Sequence, residues 1–171
     1  ELGEGPYYVL LLDIDDFAAN TKRQSEVQRQ LLKKQVFDAL HQAVHEGGRS
    51  LVIPFGSDKF LVLASLPGEK EAQVLAERLR QEVENTGNCT VTVAVGYSCP
   101  DLSQVHLSYK SAETACRYGS FFGANHVVYA SKMSEVRERD IMAYPFNLEA
   151  RLMDKVELGE RQTALDLLDQ L

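Results

Sequence analysis

A chain of 171 residues with 44% hydrophobic side chains holds enough apolar material for one packed domain with at most a short helical extension. Its net charge of −7 and its scattered basic residues, as in Lys33-Lys34 and Arg137-Glu138-Arg139, exclude a basic nucleic-acid face on this segment. No apolar run approaches the roughly 20 residues that span a bilayer, and no basic stretch leads into an apolar one as in a signal peptide.

Tyr7-Tyr8-Val9-Leu10-Leu11-Leu12 is a continuous apolar run ending at Asp13, the pattern of a central strand covered on both faces. Asp13 to Asn20 reads as a turn rich in carboxylates. From Ser25 to Glu46 the period becomes helical, with Leu32, Val36, Leu40, Ala43 and Val44 on one stripe and Gly47-Gly48 as the stop. Leu51–Phe55 and Phe60–Ala64 are two strands around Gly56-Ser57-Asp58-Lys59, which predicts a hairpin with a four-residue loop. Pro67-Gly68 breaks the chain, and Ala72, Leu75, Ala76, Leu79 and Val83 then recur at helical spacing up to a stop at Asn85–Asn88.

Thr90 to Val95 is β-branched and strand-like, and Pro100-Asp101 starts another turn. Tyr109, Ala112, Ala115 and Cys116 form a helical stripe of mostly small residues suited to close packing on a sheet. Cys116 is read as a small core hydrophobe. Gly123-Ala124-Asn125 turns into a last short strand near His126–Tyr129, with His126 near the surface. The order β-α-β-β-α-β-α-β with an antiparallel hairpin in its middle predicts an α+β fold: a ferredoxin-like mixed sheet with helices on its faces.

After Lys132 the composition changes. Ser134–Asp140 reads as a charged linker. Tyr144-Pro145-Phe146 opens a helix carrying Leu148, Leu152 and Val156; Gly159 breaks it; Ala164, Leu167, Leu168 and Leu171 continue in a second. The predicted organisation is therefore a domain over 1–132 and a linker with an αα-hairpin over 133–171, whose apolar faces need a partner. The chain does not begin with Met and ends inside an amphipathic stretch, so it is expected to be a piece of a longer protein. Its three cysteines form no C-x-x-C pair, which fits a reducing cytoplasm.

Four short patterns then fall in order. Leu12-Asp13-Ile14-Asp15-Asp16-Phe17 resembles the D-x-D-x-F turn after the first strand of GGDEF domains. Gly56-Ser57-Asp58-Lys59-Phe60 stands at a hairpin, where that family carries G-G-[D/E]-E-F. Val91 to Ser98 is similar to its V-T-V-S-I-G strand, and Gly123 to Val128 to its closing G-x-N-x-V. The resemblance covers Tyr7 to Tyr129 and implies a nucleotide-cyclase-like fold. Ser108 to Ala115, Arg117-Tyr118, Phe121-Phe122-Gly123 and the tail from Tyr144 to Leu168 look like the degenerate middle domain of AraC-type bacterial response regulators. That resemblance implies a cytoplasmic transcription regulator with a receiver domain before this region and a helix-turn-helix pair after it. Self-association is expected with it, while the charge and the apolar run lengths predict that this segment binds no nucleic acid directly and no membrane.

An active cyclase joins two nucleoside triphosphates, each with roughly four negative charges to be balanced by metal ions and basic groups. The resemblance places a residual Mg²⁺ site on Asp13, the Ile14 carbonyl and Asp58, with no cofactor required. It places a remnant ligand cleft at Asp13, Phe17, Thr21, Asp58 and Lys59. The rest of the chemistry departs from the family: Ala18 stands where a phosphate-binding Lys is expected, Thr21 at the guanine-reading Asn, Ser57 at the second Gly and Lys59 at the second acid. No G-H-x-x-G-D stretch occurs in Gln24–Leu32, and Gly47-Gly48-Arg49-Ser50 lacks R-x-x-D. A cation about 5 Å from Mg²⁺ costs several kcal/mol at an effective dielectric near 20, although a lysine can swing away.

Plainer roles stand beside these. Asp13, Asp15 and Asp16 are read as caps of the following helix as well as a ligand site. Asp58-Lys59 is also an ordinary polar turn. His41 and His45 have metal-pair spacing without a third ligand, hence a solvated face. Arg117 and Tyr118 are read as packing residues, with contact to a partner domain or a ligand as the alternative. The function expected is a non-catalytic relay and dimerisation module; the alternatives are a nucleotide or small-ligand sensor and an active diguanylate cyclase.

Overall fold

The computed structural model describes residues 3–45, 50–119, 122–137, 152, 155–156 and 161–168. The chain divides into two compact units, Glu1–Lys132 and Met133–Leu171.

In the first unit β1 (Tyr7–Ile14) is followed by α1 (Phe17–Thr21), α2 (Glu26–His45), β2 (Ser50–Phe55), β3 (Lys59–Ser65), α3 (Glu69–Asn85), β4 (Val91–Val95), a short 3₁₀ turn (Leu102–Gln104), α4 (Val105–Gly119) and β5 (Val127–Tyr129). The five strands form one mixed sheet in the order β2-β3-β1-β4-β5, with β1 antiparallel to both β3 and β4, and β5 parallel to β4. This is the mixed α+β sheet expected.

The apolar run of β1 has its cause in this order. As the middle strand it is covered on both faces, and every residue from Tyr7 to Leu12 is buried. Tyr8, Leu10, Leu12 and Ile14 share a core with Phe60 and Val62 of β3, Val36 and Leu40 of α2, and Ala76 and Leu79 of α3. Burying each such leucine or valine contributes about 1.5–3 kcal/mol before conformational entropy is charged against it. On the other face α4 lies over β1 and β4, its Ala112, Ala115 and Cys116 buried. At the opposite margin β2 is an edge strand with Leu51, Ile53 and Phe55 exposed and Pro54 among them.

Four expectations need correcting. β1 does not stop at Asp13: Asp13 and Ile14 stay in the ladder, opposite Thr92 and Val91, so the turn shrinks to Asp15-Asp16. The hairpin loop has three residues, because Lys59 pairs with Phe55 and leaves only Gly56, Ser57 and Asp58, with Gly56 at φ 69°. The expected linker begins as helix, since α5 runs Ala130–Arg137; residues 138–140 lie outside the described residues. His126 stands just before β5 and is half-buried, with both ring nitrogens covered and without a hydrogen-bond partner among the described residues. In the second unit, Leu152, Lys155 and Val156 are helical and α6 spans Arg161–Leu168, while the rest of the expected αα-hairpin, including Tyr144–Phe146, lies outside the described residues. No described helix is long and apolar enough to cross a membrane.

The seat of α4 explains one glycine. Gly96 follows β4 and donates its N–H to the Val9 carbonyl at 2.9 Å, while the Val9 N–H donates to Ser108 Oγ of α4, also at 2.9 Å. A Cβ on Gly96 would lie 2.1 Å from the Ser108 carbonyl oxygen, a backbone atom that cannot yield without moving the helix. Gly96→Ala is therefore expected to cost about 1–3 kcal/mol, the usual range for overpacking. Urea unfolding should show it as a lower midpoint with an unchanged slope.

Candidate functional site

The ends of β1 and β3, helix α1, and the α4–β5 loop enclose an open cleft of about 500 Å³. Its wall includes Asp13, Ile14, Asp16, Phe17, Asp58 and Cys116. The Ile14 N–H donates to the Asp58 carbonyl at 2.9 Å, fastening the hairpin tip to the end of the central strand. Lys33 Nζ of α2 donates to the Gly56 carbonyl at 3.0 Å and holds the same loop from the other side. The Ser57 hydroxyl bonds Asp58 Oδ1 at 3.1 Å. Of the residues assigned to a remnant site, Asp13, Ile14, Phe17 and Asp58 line this cleft, whereas Thr21 and Lys59 do not.

Lys59 faces Asp13 directly across the β1–β3 ladder, and its ammonium lies 3.3 Å from Asp13 Oδ2. Burial pushes the Asp13 carboxyl above its ordinary range, outweighing the pull of Lys59. Burial also works against the Lys59 charge, yet the attraction of Asp13, aided by Asp58, raises that ammonium. The two shifts differ in balance because the carboxylate sits deeper than the amine. Cys116 Sγ lies 3.9 Å from Asp13 Oδ2, and burial together with that carboxylate pushes the thiol up to about 11. It stays protonated at neutral pH and offers no nucleophile.

The cap reading of the three aspartates fails. Asp16 precedes α1 in the left-handed region at φ 52° and its side chain caps nothing. Asp13 is paired with Lys59. Asp15 turns inward instead: its carboxylate accepts hydrogen bonds from Thr90 Oγ1 at 2.7 Å, Thr92 Oγ1 at 2.7 Å and the Asn125 N–H at 2.8 Å. Asn125, held at φ 59°, accepts from Arg80 at 2.7 Å and donates to Glu84 at 2.6 Å, and Arg80 also pairs with Glu77 at 2.6 Å. Arg80 holds the Glu77 and Glu84 carboxyls below their ordinary range. The cleft floor is therefore tied to α3, β4 and the α4–β5 loop through one polar chain.

Thr21 falls outside this arrangement. It is buried, its hydroxyl donates to the Phe17 carbonyl at 2.6 Å, and it does not line the cleft. His41 and His45 lie exposed on α2 with ring centroids 4.1 Å apart. Among the described residues no group of three or more His, Cys, Asp or Glu is placed to hold a metal ion. The roles of Thr90, Thr92, Arg80 and Asn125 were not read from the sequence. The Asn of G-x-N and the Glu77/Arg80/Glu84 spacing were the available signals.

Two outcomes are expected. Asp15→Ala should cost about 2–3 kcal/mol in urea unfolding, because it strands two threonine hydroxyls and an amide that now bond a carboxylate. Asp13 has a folded-state pKa above its ordinary 3.8, so its contribution to stability is fully present below that value and is lost as pH rises through the folded pKa. Asp13→Asn should remove this component, so the Tm of the variant relative to that of the wild type should rise as pH is raised through and above 3.8.

The chain is similar to several solved structures. The active GGEEF domain of a diguanylate cyclase from Vibrio cholerae is 16% identical, with 74% of this chain and 83% of that chain covered and a TM-score of 0.58. The GGDEF domain of DgcB from Caulobacter crescentus in complex with c-di-GMP is 17% identical, covering 73% and 78%, with a TM-score of 0.59. The diguanylate cyclase SiaD, in complex with its activator SiaC from Pseudomonas aeruginosa, is 18% identical, covering 72% of this chain and 50% of that one, with a TM-score of 0.65. At these identities the likeness shows the fold alone. No curated protein matches the sequence. The profile of the GGDEF-like domain family matches residues 3–118, more than half of the chain, and the chain belongs to that family.

Proposed function

We propose that this chain is a non-catalytic regulatory module that relays a signal and self-associates within an AraC-type bacterial response regulator. In this reading it works in the cytoplasm, between a receiver domain and a helix-turn-helix pair. The observation that carries the loss of catalysis is the Lys59–Asp13 pair: a cation stands 3.3 Å from the first metal-ligand position implied by the family resemblance. Two further features support it. Ala18 puts a methyl where the resemblance expects a phosphate-binding ammonium, and Thr21 spends its hydroxyl on its own helix rather than on a base. Phosphoryl transfer depends on positioning and charge neutralisation, so losing those groups removes most of the catalytic contribution at once.

A second reading is favoured by one observation. The cleft keeps about 500 Å³ of open volume between carboxylates and the Phe17 ring, room for a small ligand held without turnover.

The purified chain incubated with GTP and Mg²⁺ is expected to give no cyclic di-GMP by chromatography, and Asp13→Ala and Asp58→Ala are expected to change nothing. Calorimetric titration with GTP, ATP and cyclic di-GMP should be silent if the module only relays. Saturable heat without product would favour the sensor, and product formation would end the non-catalytic reading.

A further inference from the structure

The GGDEF-like fold implies a divalent cation at the end of β1, and the residues present do not fit one as they stand. We propose that the Lys59 ammonium replaces that cation: a tethered positive charge neutralises Asp13 and keeps divalent metal out of the cleft. This rests on the non-catalytic reading above and goes further by assigning the cation's position to an amino acid.

The geometry carries the argument. Asp13 and Lys59 are cross-strand partners at the end of a seven-pair ladder running from Tyr7↔Ser65 to Asp13↔Lys59, so the backbone register fixes their proximity. Sliding the register by one residue would turn Leu10 and Leu12 from the α2–α3 face of the sheet to the face where Ala112, Ala115 and Cys116 of α4 pack closely, so the pairing is not free to shift. The loop is pinned as well, by Ile14 N–H to the Asp58 carbonyl and by Lys33 to the Gly56 carbonyl. Lys59 therefore stands beside Asp13, the first of the carboxylates that would hold a metal, with its ammonium 3.3 Å from Oδ2.

A divalent ion ligated by an Asp13 oxygen at about 2.1 Å would sit against the ammonium already beside that oxygen. The half-buried Asp13 also needs a counter-charge, because a carboxylate removed from water without one is costly. Lys59 supplies that charge without a diffusible ion. The Ser57 hydroxyl on Asp58 Oδ1 further reduces what that side chain offers to a metal.

The test is Mn²⁺ binding, followed by calorimetry and by the loss of the free Mn²⁺ electron paramagnetic resonance signal. Wild type, Lys59→Gln, Lys59→Met and Lys59→Gln/Asp13→Asn are compared, each first shown to be folded by near-ultraviolet circular dichroism. Wild type is expected to show no saturable uptake. Lys59→Gln and Lys59→Met should bind Mn²⁺ at least about tenfold more tightly, since a like charge next to the ion is gone. The double variant should lose that gain. The proposal is overturned if wild type binds Mn²⁺ as tightly as the two single variants, if neither gains affinity, or if the gain survives Asp13→Asn. Mn²⁺ uptake by wild type without GTP turnover would sink this inference and leave the non-catalytic reading standing. Turnover by wild type would sink that reading.

Discussion

The Asp15 carboxylate is the constraint on which the cleft depends. A strand as apolar as β1 must leave the sheet through a polar turn, and the first residue beyond it points its carboxylate back beneath the sheet's end. Three donors from β4 and the α4–β5 loop meet it there. Because the Asn125 side chain also bonds Arg80 and Glu84, the same turn is held against α3. The left-handed Asp16 follows from the same geometry: the chain must reverse sharply once Asp15 is anchored, and an aspartate tolerates that backbone better than a branched residue. α1 is thus aimed by a hydrogen-bonded carboxylate two residues upstream, not by a cap.

Above this floor the cleft is a problem of charge balance. Asp13, Asp16 and Asp58 line it, and Asp13 is deep enough that burial alone opposes its ionisation. A domain of this shape has two ways to settle that imbalance: recruit a cation from solution, or grow one on the facing strand. A lysine across the ladder is the second, and it converts a site that depends on ion concentration into one whose charge is written into the sequence.

Much of this was legible in the residues. The run Tyr7–Leu12 fixed a central strand because only a strand covered on both faces can afford no polar alternation. The stripe Ala72, Leu75, Ala76, Leu79 and Val83 gave α3, and all but the half-buried Leu75 are buried. Asp13, Phe17 and Asp58 were located by motif order and do share one cleft. What stayed hidden depends on side-chain direction. Composition does not tell whether Asp15 turns inward or outward, whether Thr21 faces the cleft or its own helix, or whether Lys59 belongs to the loop or to the ladder. The hairpin was assigned one loop residue too many because Lys59 looks like a turn residue until its partner Asp13 is seen opposite it. For His126 likewise the polarity was legible, while the covering of its two ring nitrogens was not.

The edge strand β2 carries its own consequence. Among the described residues it leaves a margin of the sheet without a neighbouring strand, and the exposed Leu51, Ile53 and Phe55 make that margin sticky. Pro54 lies in the same strand and has no N–H, so an invading strand would find a rung missing where it tried to zip up. The molecule can keep a greasy flank available to helices or side chains while discouraging the sheet-to-sheet growth that leads to fibrils.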